Sequence, residues 1–204
     1  MLLDGKKKRN IMLDNLKKYT IFLASGSPRR RQLLADLGID FEVRCLNDID
    51  ESYPDDMPAD DVAEYISQKK AAAYKGQITG NELYITADTV VVCDGRVLGK
   101  PADRNEAVAM LRRLSGNVHH VVTGVTVVTE CRSVSFSVAT EVSFARLTDE
   151  EINFYVDNFK PLDKAGAYGI QEWIGFVGVE SISGSYFNVM GLPVQRLYQE
   201  LKRL

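Results

Sequence analysis

Leu23-Ala24-Ser25-Gly26-Ser27-Pro28-Arg29-Arg30-Arg31 is the stretch whose reading decides the fold. Before it, Tyr19-Thr20-Ile21-Phe22-Leu23 has the β-branched, aromatic and aliphatic make-up of a strand. After it, Arg31-Gln32-Leu33-Leu34-Ala35-Asp36-Leu37 reads as a helix that Gly38 ends. The stretch is therefore a strand-to-helix turn. Ser27 suits the N-cap, where its side-chain oxygen accepts a free backbone N–H, and Pro28 suits the first helical position, where its missing donor costs nothing. Small Ser25 and Gly26 let backbone amides come close to a ligand. Cations at the positive end of a helix cost about 0.3 to 1 kcal/mol each unless an anion such as phosphate sits there and reverses the sign. The same residues also suit an ordinary N-cap with solvated arginines, and the turn alone leaves both readings open.

Outward from the turn, Phe41-Glu42-Val43-Arg44-Cys45 reads as a short strand, followed by an acidic, exposed loop from Asn47 to Asp60 that contains Pro54 and Pro58. Asp61 to Lys75 has helical spacing, with Val62, Ile66, Ala73 and Tyr74 available for a buried face. Leu83 to Cys93 is a nearly continuous apolar run that suggests a central strand covered on both sides. Asp94-Gly95 is a hairpin signal, Arg96-Val97-Leu98 returns, and Gly99-Lys100-Pro101 breaks the strand. Asp103 and Glu106 have capping-box spacing at the head of a helix that Ser115-Gly116 ends. Val118 to Thr129 and Val134 to Phe144 form a second hairpin, and Thr148 and Glu151 open another helix. Gly166, Gly169, Gly175, Gly178 and Gly184 crowd a stretch of loops and short strands before a C-terminal helix from Pro193 to Leu204. Strands alternating with helices, plus two hairpins, imply an α/β fold with a mixed sheet.

The composition bounds the function. The 204 residues are 45% hydrophobic and 26% charged, enough for one substantial core. A formal net charge of -3 gives no global attraction to a nucleic acid polymer or an anionic membrane, so anion binding has to be local. Cys45, Cys93 and Cys131 are far apart and form neither a disulfide framework nor a zinc motif, which fits a reducing cytoplasm. No run approaches the roughly 18 apolar residues of a membrane span, and the N-terminus lacks a signal peptide's apolar centre. Residues 1–18, with Gly5-Lys6-Lys7-Lys8-Arg9-Asn10, read as a peripheral extension before a single domain over 19–204, and Met12 reads as the natural start.

Asp88 is a carboxylate inside an otherwise apolar strand. Isolated buried charge costs on the order of several kcal/mol unless a metal, a cation or hydrogen bonds compensate it, so Asp88 reads either as part of a charged site or as a structural residue satisfied by backbone amides. Lys100, just past the first hairpin, can be brought back near the end of that strand. Lys69 and Lys70 in the Asp61 helix, like Glu51 in its loop, read on their own as surface charges. In Asp163-Lys164-Ala165-Gly166-Ala167-Tyr168-Gly169-Ile170-Gln171, Gln171 can read a base edge through its paired donor and acceptor, or the segment is a tight structural loop. His119 and His120 are neighbours in a strand, point to opposite faces and cannot form a metal pair.

Taken together, these blocks resemble the Maf family of nucleoside triphosphate pyrophosphatases over about residues 19–204. The resemblance rests on Leu23 to Arg30, Ala87-Asp88-Thr89-Val90-Val91, Gly99-Lys100-Pro101, Leu114-Ser115-Gly116, Thr123-Gly124-Val125, Asp163 to Gln171, Gly184-Ser185-Tyr186 and Gly191-Leu192-Pro193, all in order. It implies an elongated mixed sheet flanked by helices around a cleft, similar to inosine triphosphate pyrophosphatase. It implies hydrolysis of a nucleoside triphosphate to a monophosphate and pyrophosphate, for removal of noncanonical or excess nucleotides, with a link to arrest of septum formation. By the same resemblance Asp88 is the proton acceptor or, with Glu51, a metal holder; Lys70 and Lys100 are the other charged residues of the cleft. Ser25, Ser27 and Arg30 face phosphate, while Arg30, Thr89 and Gln171 match the pyrimidine-preferring branch, pointing to dTTP and UTP. Glu172 departs from the family pattern, which leads one to expect glycine there. Mg²⁺ or Mn²⁺ is the expected cofactor, since the site offers oxygen ligands; a homodimer is implied by resemblance alone. The competing readings are a nucleotide-sensing regulator of cell division without turnover and a monophosphatase that releases orthophosphate.

Overall fold

The computed structural model of the protein describes residues 11–204. A 3-10 helix, Ile11–Lys18, leads into β1 (Thr20–Leu23), α1 (Pro28–Asp36), β2 (Glu42–Val43), α2 (Val62–Tyr74), β3 (Glu82–Cys93) and β4 (Arg96–Leu98). Then follow α3 (Arg104–Leu114), β5 (Val118–Thr129), β6 (Ser133–Phe144), α4 (Asp149–Phe159), α5 (Trp173–Gly178), β7 (Val179–Ser183), α6 (Tyr186–Val189) and α7 (Val194–Leu201). Short 3-10 turns at Pro161–Asp163 and Ala165–Ala167 lie between α4 and α5.

One seven-stranded sheet runs in the order β2-β1-β3-β5-β6-β7, with β4 added to β3. β1 pairs in parallel with β2 and β3, and the remaining pairs are antiparallel. The sheet is mixed and the fold is α/β, as the alternation of elements implies. Its three 12-residue strands β3, β5 and β6 are each about 40 Å long, which makes it elongated. Helices cover both faces. Leu83, Ile85 and Ala87 pack with Leu33 and Leu34 of α1 and Leu197 and Leu201 of α7, whereas Tyr84 packs on the other face with Ala71 and Tyr74 of α2. Further along, Val91 and Phe144 share a cluster with Leu111 of α3 and Tyr155 of α4. β3 is buried on both faces because both are roofed, which explains its nearly unbroken apolar run.

Several local expectations change. Residues 11–18, expected to be peripheral, bury Leu13 and Leu16 in the cluster beneath α1 and α7; residues 1–10, which the same expectation covers, lie outside the described residues. The strand expected over Phe41–Cys45 shrinks to Glu42–Val43 at the sheet edge, where Arg44 lays its guanidinium over the Phe22 ring at 3.7 Å. In α2 Ala73, expected on the buried face, is exposed and Ala71 is buried instead, because Ala71 lies four residues after Ser67 and three before Tyr74 on the face turned to the sheet. The capping box at Asp103 is half formed: Asp103 caps the Glu106 N–H, but the Glu106 carboxylate turns to the Ala102 N–H at 2.6 Å. The box at Thr148 and Glu151 is complete. The glycine-rich stretch contains two short helices, α5 and α6, besides its strand.

Candidate active site

β1 accompanies β3 over Glu82–Ile85, and β4 accompanies it over Val91–Cys93. Between them, among the described residues, that edge of β3 has no strand beside it. The chain leaves β1 at Ala24, whose N–H still donates to the Ile85 carbonyl, and turns through Ser25-Gly26-Ser27 into α1. A cleft of about 610 Å³ opens at this divergence, within the size range of small-molecule sites and at the carboxyl end of a parallel strand, where ligand crevices form.

The turn is built as its sequence implies. Ser27 adopts extended backbone and accepts the Arg30 N–H at 3.4 Å, and Pro28 is the first helical residue. The three arginines divide the work. Arg31 is exposed. Arg29 reaches across the cleft mouth to Asp163 at 3.2 Å. Arg30 folds inward, donating to the Gly191 carbonyl at 2.8 Å, the Ala87 carbonyl at 2.9 Å, Ser25 Oγ at 3.3 Å and Thr89 Oγ1 at 3.0 Å. The Ala87 carbonyl faces the unpaired edge of β3, so Arg30 supplies the donor that a neighbouring strand would have supplied. Thr89 passes its own hydroxyl hydrogen to Thr123 at 2.9 Å, and Thr123 donates to the Asn188 carbonyl at 3.1 Å. Burial lowers the Arg30 pKa, and the charge of Asp88 works in the opposite direction.

Asp88 and Thr89 are consecutive and so point to opposite faces. Thr89 meets Arg30 of α1; Asp88 meets Lys70 of α2 at 2.7 Å. Lys70 also holds Glu51 at 3.0 Å, and side-chain exposures of 12% for Lys70 and 14% for Asp88, against 48% for Glu51, place the pair inside and Glu51 at the mouth. Burial pushes the Glu51 carboxyl up, but the hydrogen bond from Lys70, the charge of Lys70 and the charges of Lys100 and Arg30 bring it below the usual carboxylate value. Lys100 is exposed and lines the same cleft. Gln171 lines it too, and its buried amide oxygen has no hydrogen-bond partner. The structure thus brings Ser25, Ser27, Arg30, Glu51, Lys70, Asp88, Thr89, Lys100 and Gln171 to one cleft. His119 is buried and His120 exposed, on opposite faces as expected.

The family model described as Maf-like protein matches residues 20–204. The chain belongs to the Maf family. Relatives of this Maf protein carry the name dTTP/UTP pyrophosphatase. One from Parabacteroides distasonis is 61% identical over 191 residues, spanning 94% of this chain and 99% of its own length. One from Phocaeicola vulgatus is 58% identical over 95% of this chain and all of its own length. One from Flavobacterium johnsoniae is 44% identical over 95% of this chain and all of its own length. Among solved structures, a HAM1 protein from Coxiella burnetii aligns with a TM-score of 0.47 and 14% identity, over 91% of this chain and 100% of that one.

Other residues of this Maf protein shape the cleft although the sequence analysis assigned them no role there. Lys69, read as a surface charge, donates to Asp50 at 2.8 Å and to the Ser52 carbonyl at 2.7 Å. That hydrogen bond, with those from Ser52, holds the Asp50 carboxyl far below its usual value. Adjacent Lys69 and Lys70 therefore clip adjacent Asp50 and Glu51, and hold the acidic loop over α2. The signal was the match of two consecutive cations to two consecutive anions, legible only once loop and helix are known to meet. Thr123 and Asn188 extend the Thr89 relay into the interior, and Lys164, only 7% exposed, lies along the cleft wall.

Proposed function

We propose that this Maf protein hydrolyses dTTP and UTP to the monophosphate and pyrophosphate, as the names of its relatives state for them. The observation that carries the reading is that one cleft holds, together, the Asp88–Lys70–Glu51 cluster beside the α1 turn and the Gln171 amide, whose buried oxygen has no partner. Uracil and thymine present an N3–H donor between two carbonyl acceptors. An amide side chain held with its oxygen toward N3–H and its N–H₂ group toward a carbonyl complements that edge; turned over it would suit cytosine, with its N3 acceptor, so base preference depends on which way the amide is held.

In the proposed reaction a water oxygen attacks the α-phosphorus, the bond from phosphorus to the bridging oxygen breaks, and pyrophosphate leaves. Asp88 accepts the water proton. Lys70 fixes the Asp88 carboxylate and, with Lys100 and the turn at Ser25–Ser27, offsets charge on the phosphates and on the leaving group. Arg30 braces the open edge of β3, with four of its N–H groups used by protein acceptors. The donors fit a hard divalent cation held jointly with substrate. Asp88 and Glu51 offer two carboxylates, no group of three or more His, Cys, Asp or Glu residues is placed to hold a metal among the described residues, and water and phosphate oxygens complete such a shell. Mg²⁺ or Mn²⁺ bound there would neutralise triphosphate charge. Cytoplasmic action suits the free thiols of Cys45, Cys93 and Cys131, and no helix among the described residues is long and apolar enough to cross a membrane. A homodimer has the family resemblance as its support.

The test is incubation with dTTP, UTP, CTP, dATP, GTP and 7-methyl-GTP in Mg²⁺ or Mn²⁺, with and without excess EDTA, and chromatographic separation of monophosphate, pyrophosphate and orthophosphate. The expected outcome is pyrophosphate with TMP or UMP, lost in EDTA and restored by metal. Orthophosphate as the product, or triphosphate binding without turnover, would overturn the reading in favour of a phosphatase or a sensor respectively.

A further inference from the structure

Beside Gln171 lies an ionic network around the buried Lys164 that the proposed reaction does not use. Lys164 sits between two carboxylates, 2.7 Å from Asp163 and 3.1 Å from Glu172. The second Glu172 oxygen receives the hydroxyl of Tyr155, a fully buried side chain of α4, and the same hydroxyl accepts the Gly169 N–H at 3.0 Å. The Glu172 N–H donates to the Gly169 carbonyl at 2.9 Å. The backbone at Gly169 passes so close over this pair that a Cβ there would lie 2.9 Å from Glu172 Cδ and 3.1 Å from Lys164 Cε. Segment 164–172 is thus a loop closed at its base by the Lys164–Glu172 pair and pinned to α4 by one tyrosine oxygen. Its two functional connections leave from either end. Gln171 precedes Glu172 directly, and the Gly166 N–H donates to the Gly99 carbonyl at 3.0 Å, one residue before Lys100.

We propose that Glu172 and Tyr155 are positioning residues that clamp this loop and thereby hold the Gln171 amide at the base end of the cleft. The proposal rests on the reading of Gln171 as the base contact. A side chain with several rotatable bonds contacts a base edge well only if its Cα is fixed to within about half an ångström. The loop itself supplies little regular backbone pairing, having two glycines and only a single 3-10 turn, Ala165–Ala167. The charge-assisted contacts of Glu172 supply the missing rigidity. Closing the loop before substrate arrives also removes an ordering cost from binding, so the effect belongs in KM for the matching bases more than in kcat.

The test uses Tyr155→Phe, which removes one oxygen and no charge, and Glu172→Gln, which keeps the shape and removes the charge. Each is measured beside Gln171→Ala and the double variant Glu172→Gln/Gln171→Ala in the full chain. Amide hydrogen exchange on peptides spanning 163–172 should speed at least tenfold in Tyr155→Phe and Glu172→Gln, with exchange in β3 and α2 unchanged. KM for dTTP and UTP should rise about tenfold, with kcat changed less than threefold and with little change for CTP. The double variant should be no worse than Gln171→Ala alone, since both changes remove the same contact. Unchanged exchange in both single variants overturns the clamp, as does a KM penalty that adds fully to that of Gln171→Ala. Faster loop exchange together with a Gln171→Ala variant of unaltered base preference keeps the clamp and overturns the base-contact reading, so the two failures are distinct.

Discussion

Two consecutive residues, Asp88 and Thr89, serve the two faces of one strand at the point where its neighbour ends. Asp88 projects to Lys70 and Thr89 to Arg30, at 2.7 and 3.0 Å, and the free edge between them is where a ligand can reach both. Replacing Asp88 by Asn keeps the shape and removes the proton acceptor. The expected result is a fall in kcat of about 10²- to 10⁴-fold, the usual contribution of a positioned base, with dTTP affinity retained within a few-fold by calorimetry; turnover within tenfold of the parent would remove Asp88 from the role. Asp88 was legible in the sequence because a carboxylate in an apolar strand is conspicuous, and Ser27 because an N-cap is a local device. Glu51 was legible only through family resemblance, since nothing within an exposed acidic loop distinguishes one carboxylate from the next. The Lys69–Asp50 clip was not legible, because its partners are 19 positions apart and meet only by docking of the loop on α2.

At the scale of elements, the distance from Lys70 to Asp88 depends on how closely α2 lies on the sheet. Gly124 of β5 stands in register with Asp88, and a Cβ there would lie 2.3 Å from the Ala63 backbone. The helix therefore rests on bare strand backbone. The buried hydroxyls of Ser67, Thr86 and Thr126 complete the seam, with Thr86 donating to the Ser67 carbonyl at 2.7 Å and Ser67 Oγ 2.9 Å from Thr126 Oγ1. Gly124→Ala forces backbone apart and not merely a flexible side-chain tip. We expect a loss of about 1 to 3 kcal/mol in stability, the usual cost of overpacking. We also expect a drop in kcat of at least tenfold, as Lys70 moves away from Asp88, read by thermal melting and steady-state kinetics on UTP. Gly76→Ala, where nothing lies within 4 Å, is the control and should change neither. Parental kinetics in a folded Gly124→Ala variant would show that α2 tolerates the shift. Long strands and capped helices were legible from periodicity. The segment 163–191 was not, since its order comes from buried ion pairs and tertiary hydrogen bonds more than from any repeating pattern.

For the whole molecule, we expect one histidine in the core to set the acid limit of stability. His119 is 1% exposed, lies edge-on to Phe144 and Tyr168 with centroids 5.0 and 5.4 Å away, and places Nε2 2.8 Å from the Tyr168 hydroxyl. Its Nδ1 is buried without a partner, so a proton added there gains no hydrogen bond. Burial, with a smaller push from His120, lowers its pKa from 6.5 to about 4. The neutral form is therefore the folded form. The unfolded chain takes up a proton below pH 6.5 that the folded chain refuses until about pH 4. Stability is then complete above 6.5 and falls with acidification through that window, by about 2 kcal/mol at pH 5 at 1.36 kcal/mol per unit. The carboxylates held low by cations, such as Glu51 and Asp163, have ordinary values of 4.5 and 3.8, so their contribution is lost only at lower pH. For a chain of this length the histidine alone lowers Tm by roughly 4 to 8 °C between pH 7 and 5. His119→Phe, which keeps the aromatic packing, should start lower because Tyr168 loses its partner, but show a shallower slope over that interval. Melts at pH 7, 6 and 5 separate the two contributions: a parent curve as shallow as that of the variant would mean that the buried ring protonates without cost, and the acid limit would then belong to the carboxylates around the cleft.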